Sequence, residues 1–117
     1  MTLQMEKLPF LKTNKSMILE IAVLYVKEGQ EQQFEKDFAI AGQYISAIKG
    51  YVKHSLKKCL EQNNKYILLV DWETLEDHTI GFRESPEYLE WKALLHHYYD
   101  PFPIVEHYET IIETINN

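Results

Sequence analysis

The chain's 117 residues suffice for one hydrophobic core and are too few for two. A hydrophobic share of 45% and a charged share of 26% fit an ordinary globular domain, and a net charge of −6 argues against nucleic acid, whose phosphates call for a clustered positive surface. Cys59 is the only cysteine, so no intrachain disulfide forms and a reducing compartment fits. No apolar run approaches the roughly 18 residues of a membrane span. The first sixteen residues carry Glu6, Pro9 and Lys12 and lack the apolar core of a signal peptide. These features together give a cytoplasmic protein without a membrane partner.

Residues 1–16 are aperiodic and read as an N-terminal tail. Met17–Val26 reads as a strand apolar on both faces, with Leu19, Ile21, Val23 and Tyr25 on one side and Ile18, Ala22, Leu24 and Val26 on the other. Glu20 interrupts the second face. A carboxylate there must reach solvent, meet a cation or line a polar pocket, and the end of a strand ordinarily admits water. Phe34, Phe38, Ala41, Ile45 and Ile48 form one stripe of a helix that Lys49-Gly50 ends, with Gly50 as a left-handed cap. Tyr51–Leu60 reads as an edge strand guarded by three lysines, with Val52, His54 and Leu56 on one side and Tyr51, Lys53 and Ser55 on the other. A polar turn then returns the chain through Tyr66–Glu73, where Tyr66, Leu68, Val70 and Trp72 share a face.

Thr74 followed by Asp77 is a capping-box-like helix start, and Ser85-Pro86 is an N-cap followed by a first-turn proline. The first of these helices is short and carries Leu75, His78 and Phe82 on one stripe. The second carries Tyr88, Trp91, Leu95 and Tyr98, until Asp100-Pro101-Phe102-Pro103 stops it. Ile104–Ile112 is a last strand with Val105, His107, Glu109 and Ile111 on one side. The order βαββαβ predicts an α+β, ferredoxin-like fold: a four-stranded antiparallel sheet with both helices on one face. The strands are apolar on both faces, so the other face needs a cover, and a second copy of the chain is the simplest one.

From Tyr66 the chain runs through an apolar strand, Trp72-Glu73, His78, Phe82-Arg83-x-Ser85 and then the aromatic pair Tyr88 and Trp91. This order resembles the antibiotic biosynthesis monooxygenase (ABM) family, and the resemblance spans about Met17–Tyr108. It implies an ABM-like domain over residues 17–117 with a short C-terminal extension, a homodimeric α+β barrel, and a ligand cavity between sheet and helices. It also implies chemistry without metal or flavin. A small aromatic or quinol-like substrate loses a proton with the help of polar groups, and its anion passes an electron directly to O2. Hydrogen-bond donors that stabilise an anion are what such a site requires.

Trp72, His78 and Arg83 match the family's positions and are the candidate catalytic residues. Each also has a structural reading. Trp72 fits a core aromatic, His78 a ring packed beside Leu75 and Phe82, and Arg83 an ion-pair partner of Glu73 or Glu87. Haem-degrading relatives carry an Asn on the first strand and a ligating His seven residues beyond the Ser that corresponds to Ser85. This chain has no such Asn and places Lys92 at the second position, with His96 one turn further on. Adjacent His96 and His97 point roughly 100° apart on a helix and do not readily share a metal ion. No nucleophile elbow, phosphate loop or dinucleotide fingerprint occurs. The resemblance implies a cofactor-independent monooxygenase of small aromatic or quinol-like molecules, with a non-catalytic dimeric binding or interaction module of the same fold as the alternative.

Overall fold

The computed structural model describes residues 17–116, so the tail expected over residues 1–16 lies outside the described residues. Strand β1 (Ile18–Tyr25) pairs antiparallel with β3 (Lys65–Trp72) on one side and β4 (Val105–Tyr108) on the other. Strand β2 (Tyr51–Lys58) lies along β3, giving the order β2-β3-β1-β4. Helix α1 (Glu31–Ile45) connects β1 to β2. A π-helical turn (Asp77–Phe82) and helix α2 (Pro86–Leu95) connect β3 to β4. This is the ferredoxin-like α+β fold, and β2 is an edge strand as its lysines predict.

The core lies between the sheet and the helices. Ala22, Leu24 and Val26 of the β1 segment and Tyr66, Leu68, Val70 and Trp72 of β3 supply its floor. Phe34, Phe38, Ala41 and Ile45 supply the α1 side, and Trp91 and Leu95 the α2 side. Phe34 meets Tyr66 and Tyr98 edge-on with ring centroids 5.0 and 5.5 Å apart, a geometry that the aromatic quadrupole favours. On the opposite face Leu19, Ile21, Val23, Tyr25, Ile67 and Leu69 remain only half-buried.

Four local expectations are corrected. Helix α1 ends at Ile45, and bonds from Ala47 N to Tyr44 O and from Ile48 N to Ile45 O carry the chain onward in tight turns. Gly50, at φ +89°, serves the turn into β2 instead of capping the helix. Val52 forms a bulge, because Tyr51 pairs with Trp72 while Lys53 pairs with Asp71. The extra residue puts Tyr51 on the core side with His54 and Leu56 and leaves Val52 exposed. In the short helix, the bond from Arg83 N to His78 O spans five residues and widens the turn. His78 and Phe82 both face inward, and Leu75 stays outside. Strand β4 stops at Tyr108, opposite Leu19 and one residue short of the start of β1 at Ile18.

Candidate functional site

The register of the sheet builds the site. Glu20 of β1 stands opposite Val70 of β3 and opposite His107 of β4. Alternation places its side chain on the helix-facing side with Ala22 and Leu24, where it is 5% exposed. Trp72, at the end of β3, reaches across and donates from Nε1 to Glu20 Oε1 at 2.9 Å. The π turn lowers His78 onto the Trp72 indole, stacked at 5.4 Å between centroids and 18° between planes. His78 Nε2 lies 3.4 Å from the same Glu20 oxygen, and His78 Nδ1 is 2.8 Å from His107 Nε2. Three secondary-structure elements and the end of a fourth thus bring one carboxylate, one indole and two imidazoles into a connected chain.

Glu20 and His78 also line a cavity of about 330 Å³. Its floor continues over Ala22, Leu24 and Leu68. Phe82, Tyr88 and Trp91 form one wall, and His96, Tyr99 and Val105 the other. Arg83 and Phe102 are the exposed members of the lining and mark its mouth. Ser85 shapes this wall. Its Oγ donates to Phe82 O at 2.6 Å and accepts from Tyr88 N at 3.1 Å, joining the π turn to α2 as the N-cap reading expects.

Burial decides the charge states. It pushes the Glu20 carboxyl up to about 6, although the Trp72 hydrogen bond and the Arg83 charge pull it back. Burial, with the Arg83 and His107 charges adding to it, lowers His78 to about 3. Burial and the nearby Lys92 lower His96 to about 4, and burial and Arg83 lower His107. At neutral pH the cavity therefore holds an ionised Glu20, neutral imidazoles and the Arg83 guanidinium. No group of three or more His, Cys, Asp or Glu with metal-holding geometry occurs among the described residues, and no described helix is long and apolar enough to cross a membrane.

The profile of the antibiotic biosynthesis monooxygenase family matches residues 17–94, the greater part of the chain. The chain belongs to this family. A crystal structure from Bordetella bronchiseptica that bears the family's name is 33% identical to it, covers 83% of this chain and 99% of its own, and superposes with a TM-score of 0.79. The uncharacterized protein YczJ of Bacillus subtilis strain 168 is 60% identical over 95 residues, 81% of this chain and 100% of that protein. SnoaB of Streptomyces nogalater, a cofactor-independent oxygenase, shares the fold at 18% identity and a TM-score of 0.65, over 86% of this chain and 96% of its own.

Within this antibiotic biosynthesis monooxygenase domain the three sequence-derived site residues occupy different layers. His78 is in the cavity wall and Arg83 is at its mouth, while Trp72 stands behind Glu20 and holds it. Arg83 pairs with neither Glu73 nor Glu87: no carboxylate lies within ion-pair distance of it among the described residues. Glu20 is buried at 5% exposure and lines the cavity, whereas its strand-end position suggested a side chain out in solvent. Lys92 is exposed and outside the wall, whereas His96 is part of it. Sequence reasoning did not single out His107, Tyr88 or Tyr99 as site residues. For His107 a signal existed: it shares Val105's face of the last strand, and that face is the one that meets Glu20.

Proposed function

We propose that the protein is a cofactor-independent monooxygenase that acts as a homodimer on a small aromatic, quinol-like molecule. The observation that supports this reading best is the convergence of Glu20, His78 and Arg83 on one aromatic-walled cavity. A purely apolar pocket would suit a binding module, whereas convergent polar groups suit proton transfer and anion stabilisation. The half-buried apolar face of the sheet supports the dimer.

In this reading the aromatic walls hold the ring, and Arg83 at the mouth attracts the anion formed when a hydroxyl loses its proton. The anion is its own reductant. A quinol and O2 give a hydroxyquinone and water, so one oxygen atom enters the ring and the other leaves with two substrate hydrogens. All the electrons that O2 takes up come from the substrate. The polar groups need to lower the hydroxyl pKa, and each unit corresponds to about 1.4 kcal/mol of preferential anion stabilisation, within reach of one or two charge-assisted hydrogen bonds.

The test is oxygen uptake with a panel of quinols and anthrones, with no flavin, nicotinamide or metal added. Uptake above the uncatalysed rate is expected. It should fall at least about tenfold in Trp72→Phe, which removes the indole N–H, and in His78→Ala and Arg83→Gln. Uptake at the uncatalysed rate across the panel would leave the binding module as the better reading, and catalysed uptake unchanged in all three folded variants would remove these residues from the mechanism.

A further inference from the structure

We propose that Glu20 is the group that accepts the acidic hydrogen of the bound aromatic molecule, and that His78 and His107 are positioning residues that hold its carboxylate ionised and aimed. The proposal deepens the oxygenase reading and rests on it for the oxygen chemistry alone.

The two oxygens of Glu20 are used unequally. Oε1 takes the Trp72 indole at 2.9 Å and stands 3.4 Å from His78 Nε2, while Oε2 accepts from none of the hydrogen-bond donors among the described residues. No fully enclosed side-chain oxygen or nitrogen lacks a partner among the described residues. Since Glu20 lines the cavity, Oε2 is the oxygen reached from it.

His78 has no nitrogen to spare. Nε2 is turned to Glu20 and Nδ1 to His107 Nε2, 2.8 Å away. With Glu20 ionised, the arrangement that satisfies every atom has His107 Nε2–H donating to His78 Nδ1, and His78 Nε2–H pointing at Oε1. His107 thereby selects the tautomer of His78 that stabilises a carboxylate, the role of an orienting partner. Arg83 lines the same cavity with no ion-pair partner among the described residues, and so is available to the negative charge that leaves Glu20.

In the step itself an O–H or ring-activated C–H bond of the ligand breaks and an Oε2–H bond forms. The electron pair stays on the ligand, and the cavity's net charge does not change. In the oxygenase reaction the proton later returns from Oε2 to the reduced oxygen that leaves as water. A proton affinity near about 6 suits a base working at neutral pH. Burial raises it and Arg83 pulls it back, and the titratable groups around Glu20 come from every element near it: His78 and Arg83 from the π turn and its end, His107 from β4, Tyr88 from α2, and His96 and Tyr99 from the segment after it. The neighbouring β3 contributes Trp72, which donates without titrating.

Anaerobic hydrogen–deuterium exchange at the methylene of anthrone, followed by NMR in D2O, isolates this step from O2. The wild-type protein should speed exchange at least about tenfold over buffer, with the rate falling as pH drops through about 6, as Glu20 takes up a proton. Glu20→Gln should lose the acceleration and Glu20→Asp should keep part of it. His107→Ala should move the pH limb upward by roughly one unit, the size of one lost hydrogen bond in a charged network. His107→Gln, which keeps an N–H donor, should restore it, whereas a merely structural role would lower the rate without moving the limb. Exchange at the buffer rate in the wild type, or undiminished exchange in folded Glu20→Gln, would overturn the proposal. Exchange that depends on Glu20 without any oxygen uptake would remove the oxygenase reading and leave the assignment of Glu20 standing.

Discussion

His78 is tightly packed and polar in its contacts at the same time. It packs with 3% exposure against Trp72 and Phe82, and both of its ring nitrogens face the site's other polar groups. The cost of such burial should appear in the acid range. His78 and His96 are held at about 3 and about 4, and burial lowers His54 and His107 as well, against an ordinary value of 6.5. A depressed pKa contributes stability that is present above 6.5 and lost as pH falls from there toward the folded value. Glu20 acts in the opposite sense. Its raised pKa contributes stability present below 4.5 and lost as pH rises through about 6. Four histidines outweigh one carboxyl, so the denaturant midpoint should be lower at pH 5 than at pH 7.5. His78 alone accounts for roughly 2 kcal/mol of that difference. A midpoint that rises on acidification would contradict the buried, neutral histidines.

Among the elements, the junction of the β2 turn with the π turn is the most constrained. Gly50 has φ +89°, and a Cβ built there would fall on the Asp77 carboxylate. Asp77 Oδ2 accepts from Thr74 N at 3.2 Å while Thr74 Oγ1 accepts from Asp77 N at 3.1 Å, so the capping box legible as Thr74-x-x-Asp77 is formed. Gly29 has the same φ with nothing within 4 Å of its missing Cβ. Gly29→Ala therefore bears only the backbone cost, about 1 kcal/mol. Gly50→Ala also displaces Asp77 and should cost about 1–3 kcal/mol more. Paired urea titrations check the order, and equal losses would mean that Asp77 moves aside freely. The capping residues were readable because they act within four residues of one another. The widened π turn was not, because its i→i+5 bonding is stabilised by what His78 and Phe82 pack against, not by their spacing.

At the scale of the molecule, both helices cover one face of the sheet and the other carries six half-buried apolar residues. In the dimer proposed for this protein a second copy covers that face. Sedimentation at micromolar concentration should give a single species of twice the 13.9 kDa chain mass. Leu69→Lys, which puts a charge in the middle of the open face, should shift the population toward monomer. A stable, folded wild-type monomer at that concentration would sink the dimer.

The sequence by itself determined the order of elements, the edge character of β2, the buried faces of β1, β3 and α1, and the family. Each of these rests on a local period, on charge placement or on a motif whose residues lie close along the chain. Only the tertiary structure decided that Glu20 is buried, that Trp72 holds it from behind the cavity, and that His107 completes the chain through His78. Glu20 and His107 are far apart in sequence, and the β1–β4 register alone makes them neighbours. The bulge at Val52 likewise follows from how β2 meets β3, where one unpaired residue reverses which side Tyr51 faces. Alternation along a strand says which residues share a face, and pairing between strands says which of them meet.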